Sequence, residues 1–163
     1  MSGPPQPLVR PLQQGDWVQV VETYADAVQS LATPFYRPEQ IRAWAHHPLD
    51  NTTFAASLER GFGLVVCQSD APATVEAFAL LDPTDRLALL YCRGRSSRKG
   101  LATLLVTSLE HQARSNGQGR LRTEASQLSR PLLERLGWAV DEEEEILFAG
   151  EPFLRWRMSK SLI

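Results

Sequence analysis

A mixed α/β fold, with one sheet and helices on both of its faces, is what this sequence predicts. Three observations carry that expectation. Two segments with helical spacing come early. Three consecutive apolar, β-rich runs occupy the middle. A strongly helical run then leads into a strand, a short helix and a closing pair of strands.

Element by element, the Pro-rich residues 1–7 are expected to fray, and Leu8–Leu12 reads as a short strand. Gly15-Asp16 opens a helix whose apolar positions, Trp17, Val20, Val21, Tyr24, Ala25 and Val28, recur at helical spacing, and Thr33-Pro34 breaks it. Pro38 suits the first position of a second helix, which Pro48 should end. Residues 52–60 offer another helical turn or two. The period then changes. Gly63–Gln68 and Thr74–Leu81 flank the turn-like SDAPA as a hairpin, and Arg86–Cys92 is the third strand. A helix over 98–115 follows, with Leu101, Leu104, Leu105 and Leu109 on one face and Asn116-Gly117 as its stop. Gly119–Ala125 is a strand, Gln127–Leu136 a helix stopped by Gly137, and Trp138–Phe148 with Pro152–Met158 a hairpin about Ala149-Gly150.

The 163 residues fit one domain, with 43% hydrophobic and 22% charged residues, as in globular chains that bury a proper core. A net charge of -2 gives no basic excess for nucleic acid, and no apolar run approaches a membrane span. The N-terminus lacks a signal-peptide pattern, and Cys67 and Cys92 read as buried free thiols, so a reducing, cytoplasmic setting is expected. His46, His47 and His111 show no ligand spacing with either cysteine, and no metal is expected.

The most informative segment is Arg93-Gly94-Arg95-Ser96-Ser97-Arg98-Lys99, four cations directly before a helix. A helix start already carries partial positive charge and disfavours cations by roughly 0.3–1 kcal/mol each. Its free N–H groups suit a phosphate, so the segment points to a phosphate-bearing ligand.

Ser97-Arg98-Lys99-Gly100-Leu101-Ala102 resembles the coenzyme loop of the GNAT family of acyl-CoA-dependent N-acyltransferases, which reads Gln or Arg, two residues, Gly, one residue, then Gly or Ala. The strand end Leu90-Tyr91-Cys92 lies the usual eight-residue step before Gly100. TEASQLSRPLLERLGW resembles the family's downstream segment, GEPFLRWRMSKSL a closing strand of one branch, and FYRPEQIRAWA an early segment of that branch. Two positions depart: Ser97 stands for Gln or Arg, and Leu132-Leu133 stands where the family carries Phe/Tyr-Tyr, so Leu133 replaces its usual tyrosine acid.

The resemblance implies a mostly antiparallel sheet of about seven strands, splayed between 86–92 and 119–125, in a single acetyltransferase domain over 1–163. It implies acetyl-CoA or coenzyme A as a substrate and a primary amine of a small molecule or peptide as acceptor, attacked directly. A homodimer is compatible with it. It implies that Ser97, Arg98, Lys99, Gly100, Leu101, Ala102 and Thr103 hold the pyrophosphate, against the plain reading of a solvated basic turn. Arg93 and Arg95 meet either the 3′-phosphate or solvent. Leu90, Tyr91 and Cys92 would pair with the pantetheine arm, and the Cys92 N–H would serve as oxyanion donor, its side chain being core.

Ser126 reads as a helix N-cap, and the resemblance implies a coenzyme contact there as well. Glu124 is the leading base, ahead of Glu76, Asp82 and Asp85. Tyr91, Tyr36 and Ser129 are the hydroxyls that could replace the missing acid. Tyr36 and Trp44 fall on the segment that often walls the acceptor pocket in this family, with core packing the plainer reading for Trp44. His46-His47 reads as a favourable cation pair at a helix end, and Asp141–Glu145 as a solvated strand face that could also draw in a cationic amine. The competing function is a degenerate GNAT fold that binds coenzyme A or another anion as a sensor. A nucleic-acid binder using the Arg93–Lys99 patch is a distant third.

Overall fold

The computed structural model describes residues 3–50 and 52–163, the side chain of Asp50 excepted. A seven-stranded sheet runs through the molecule in the order β1-β2-β3-β4-β5-β7-β6. Its strands are β1 (Pro7–Pro11), β2 (Phe62–Gln68), β3 (Ala77–Leu81), β4 (Arg86–Cys92), β5 (Arg120–Ala125), β6 (Ala139–Phe148) and β7 (Glu151–Ser161). The helices are α1 (Trp17–Leu31), α2 (Pro38–Asp50), α3 (Thr52–Arg60), α4 (Leu101–Ser115) and α5 (Arg130–Arg135). Every neighbouring pair is antiparallel except β4 and β5.

Alternation along the central strands makes two cores. Ala77, Ala79 and Leu81 of β3 pack with Leu101, Leu105, Val106 and Leu109 of α4 on one face. Phe78 and Leu80 pack with Val20, Tyr24 and Val28 of α1, Trp44 of α2 and Phe54 of α3 on the other. Truncating any one of these large side chains to Ala should cost about 2–5 kcal/mol. Glu110 lies buried on α4, where its carboxylate accepts from Lys160 Nζ at 2.6 Å and from Trp138 Nε1 at 3.3 Å, tying the helix to β7.

Several boundaries move from those the sequence predicts. β1 begins at Pro7, and Gln6 and Ser69 exchange hydrogen bonds just before it; the expected fraying at residues 1 and 2 lies outside the described residues. Pro48 stands inside α2 rather than ending it, because an interior proline costs one helical hydrogen bond and the packed Trp44 and Ala45 hold the turn. α4 starts at Leu101 rather than 98, since Arg98 (φ 60°) and Gly100 (φ 82°) are left-handed. α5 starts at Arg130, with Pro131 in its first turn, so residues 127–129 form a turn and not helix. Ala149 (φ 52°) and Gly150 (φ 83°) make the two-residue β6–β7 turn between the paired Phe148 and Glu151, the double left-handed form that suits strand twist.

Candidate active site

β4 and β5 stay together for two residue pairs only, Arg86↔Arg122 and Leu87↔Thr123. Beyond them β4 continues to Cys92 along β3 while β5 continues to Ala125 along β7. The expected splay is therefore present, and it opens at the C-terminal half of β4. The Arg93 N–H donates to Glu76 O at 2.8 Å, so alternation turns the main chain of Tyr91 towards β3. The free main-chain groups along the opening belong to Leu90 and Cys92. Tyr91 contributes its side chain on the other face instead.

The cationic segment divides at Ser97. Its first half is bolted down. The Gly94 N–H donates to Asp26 Oδ2 at 2.8 Å, and a Cβ at Gly94 would fall 2.6 Å from Ser30 Cβ. Arg93 Nε donates to Val75 O at 2.7 Å and faces Glu22 at 3.7 Å. Arg95 Nη2 and Ser96 Oγ each donate to Glu76 at 2.6 Å. Arg95, with help from Ser96, holds the Glu76 carboxyl below its ordinary range against the effect of burial. Arg93 and Arg95 thus brace the loop through these bonds, although the Arg95 side chain stays 62% exposed.

The second half is different. Arg98, Lys99 and Gly100 are exposed, and no ion pair among the described residues involves Arg98 or Lys99. The first helical bond of α4 is Leu104 N–H to Gly100 O, and no side chain caps the helix. Main-chain N–H groups from Arg98 through Thr103 donate to no protein acceptor among the described residues. A Cβ at Gly100 would meet no heavy atom within 4 Å, so its φ of 82° alone calls for glycine.

A cavity of about 530 Å³ passes through the splay and joins the two faces. On the α4 side Leu90, Cys92, Ala102, Ser126, Ser129 and Leu133 line it. On the α1–α3 side the lining includes the aromatic Tyr24, Tyr36, Trp44, Tyr91, Phe148 and Phe153. Ser126 Oγ accepts from Leu128 and Ser129 N–H, so it caps the turn before α5 and not the helix itself. Tyr36 reaches across to the same turn, its hydroxyl accepting the Gln127 N–H at 2.9 Å. Burial raises the Tyr36 phenol above its usual value, moderated by Gln127 and Ser126. The Tyr91 hydroxyl accepts Trp44 Nε1 at 3.1 Å, and burial likewise raises it.

The possible bases separate clearly. Glu124 lines the cavity and accepts Arg86 Nε at 2.9 Å. Asp82 faces Arg60 at 2.7 Å and Asp85 faces Arg122 at 3.1 Å, and neither lines this cavity. Glu76 is consumed by Arg95 and Ser96. The acidic run forms edge strand β6, where Asp141 faces Arg120, Glu143 accepts Trp156 Nε1 and Glu144 bridges Arg155 and Arg157. Burial, then Glu76 and Asp26, push the Cys92 thiol up to about 11 against a lowering by Lys99, which suits a side chain packed with the core and not a nucleophile.

His47 stands in the last turn of α2, as the sequence suggests, but its ring also meets Phe148 at 4.4 Å between centroids and a tilt of 41°, in the cavity wall. The missing signal was long-range: nothing local to HHP says that a β6 aromatic will meet it. Thr53, Ser57 and Arg155 join the lining in the same way. Among the described residues no helix is long and apolar enough to cross a membrane, and no cluster of His, Cys, Asp and Glu has metal-binding geometry.

Residues 32–160 match the family described as the acetyltransferase (GNAT) domain. An uncharacterized N-acetyltransferase of Escherichia coli K12, YafP, is 23% identical over 92% of this chain and 93% of its own length. The crystal structure of a GCN5-related N-acetyltransferase from Rhodopseudomonas palustris superposes with a TM-score of 0.88 at 24% identity, covering 96% of each chain. A PaiA N-acetyltransferase from Thermoplasma acidophilum, in complex with coenzyme A, superposes with a TM-score of 0.74 at 16% identity over 96% of this chain and 99% of its own. At these identities the structural likeness is one of fold.

Proposed function

The chain belongs to the GNAT acetyltransferase family, and from that premise we propose that it transfers the acetyl group of acetyl-CoA to a primary amine by direct attack. The observation that carries this reading is the row of unbonded main-chain N–H groups from Arg98 through Thr103, at the foot of a splayed sheet. Two left-handed residues and a helix start turn such donors into a concavity for an anion. The pyrophosphate lies there, with the side chains of Ser97, Arg98 and Lys99 beside it and Gly100, Leu101, Ala102 and Thr103 supplying amides. The Thermoplasma relative is in complex with coenzyme A, which supports coenzyme A as the ligand.

The pantetheine amides then pair with Leu90 and Cys92 as an added strand, and Ser126 contacts the arm from across the opening. This leaves the thioester carbonyl at the Cys92 N–H. The amine nitrogen attacks the carbonyl carbon, and the carbonyl electron pair moves onto the oxygen held by that N–H. Collapse breaks the C–S bond, and the thiolate leaves with its electrons. The proton lost by nitrogen passes to Glu124, the carboxylate in the cavity lining. A coenzyme thiol has a pKa near ~8.5, so the thiolate is a tolerable leaving group without the tyrosine that Leu133 replaces. Tyr36 and Ser129 bring hydroxyls to that side, whereas the Tyr91 hydroxyl is engaged by Trp44 on the far face.

Calorimetric titration with acetyl-CoA, followed by an assay of thiol release with amines, tests the proposal. Saturable binding and amine-dependent release support it; no heat of binding contradicts it. The second reading, a sensor that binds coenzyme A without turnover, draws on Leu133, buried where the family keeps an acid. Binding without thiol release on any amine would favour that reading.

A further inference from the structure

The half of the cavity on the α1–α3 face has a chemistry of its own. Tyr36 meets Trp44 edge to face at 5.3 Å and 72°, Trp44 meets Phe153 at 6.1 Å and 80°, and Phe153 meets Phe148 at 5.7 Å and 87°. Tyr91 continues the series at 6.4 Å and 68° from Trp44. Rings prefer this arrangement because the positive edge of one faces the negative face of the next, and a further ring can extend it.

The charges in the lining point the same way. Glu124 is its one carboxylate among the described residues, and Arg86 already engages it. Arg155 is paired with Glu144, outside the lining. A second ammonium, as in a polyamine, would meet Arg86 and Arg155 in the lining and no unpaired carboxylate there among the described residues. The hydroxyls of Tyr36 and Tyr91 already accept from Gln127 and Trp44.

We propose that the acceptor is an arylalkylamine whose ring enters the wall formed by Tyr36, Trp44, Phe148 and Phe153 while its amine points through the splay towards Glu124 and the Cys92 N–H. This rests on the acetyltransferase reading and goes beyond it by naming the substrate class. The apolar surroundings favour the neutral amine that must attack.

The test compares thiol release from acetyl-CoA with 2-phenylethylamine, tryptamine, hexylamine, spermidine and a lysine peptide, alongside calorimetry with acetyl-CoA alone. The expected result is a kcat/KM for the two arylalkylamines at least about tenfold above each of the others, a difference of ~1.4 kcal/mol or more. Trp44→Ala should raise KM for the arylalkylamine by roughly tenfold and leave KM for acetyl-CoA unchanged. Trp44 also packs in the core, so the half-exposed Phe148→Leu is the companion variant, with a smaller shift of the same kind. If acetyl-CoA binds but hexylamine, spermidine or the peptide is preferred, or no amine turns over, the arylalkylamine assignment is overturned. If both variants keep the parent's selectivity, it is overturned too. Absence of acetyl-CoA binding is a separate result and overturns the reading beneath.

Discussion

The two halves of the cationic loop have the same formal charge and opposite employment. Arg93 and Arg95 are spoken for by Val75, Glu22 and Glu76, and Gly94 is pressed against Ser30 and held by Asp26. Among the described residues Arg98, Lys99 and Gly100 have no such partner, and the amides from Leu101 through Thr103 have no acceptor. One half fixes the loop to α1 and β3 so that the other can present donors to a ligand. A cation count along the chain measures neither role; pairing decides it.

The largest effect should come from putting an anion into the free half. Gly100→Glu should weaken coenzyme A affinity by at least about 100-fold, because it adds a like charge and a side chain at a φ of 82°. Circular dichroism should stay native, since a Cβ there meets nothing within 4 Å.

The braced half should respond in stability. Glu76→Ala strands Arg95 and Ser96 and should cost about 1.5–3 kcal/mol in denaturant unfolding, as for a lost charged hydrogen bond. The accompanying pH dependence has a definite sign. A carboxyl held low in the folded state adds stability above its unfolded value, near 4.5, and loses it as pH falls through the folded value. The parent should therefore lose its advantage over Glu76→Gln on acidification below that range, and a gap that persisted unchanged there would contradict the pairing.

Gly94→Ala should cost about 1–3 kcal/mol through the clash with Ser30, with coenzyme affinity changed far less than by Gly100→Glu. The sharpest contrast pairs Arg95→Ala with Lys99→Ala. The first should lower Tm and spare coenzyme binding. The second should leave Tm alone and weaken binding several-fold, more at low salt. The smallest effect concerns Cys92: with its thiol pushed up to about 11, alkylation at neutral pH should be slow, and coenzyme A should slow it further.

Much of this architecture was legible in the chain. Apolar, β-rich runs marked the central strands, and Leu101, Leu105 and Leu109 marked the buried face of α4. The loop motif pointed to its ligand because Gly100 and the helix after it are local. Boundaries that depend on backbone sign were less legible: Arg98 adopts a left-handed conformation that a cation does not advertise, and Pro48 stays helical because distant packing outweighs its local cost. The braces were illegible for another reason. Asp26, Ser30 and Glu76 lie far from residues 93–96 in sequence, and so does Phe148 from His47.

Amide resonances offer the most direct look at the central claim. In 15N–1H spectra of the protein titrated with coenzyme A, the N–H signals of Gly100 through Thr103 should move downfield at saturation and exchange more slowly with solvent, while those of Gly94 and Ser96 change little. Full occupancy of the coenzyme with the Gly100–Thr103 signals unmoved would contradict it.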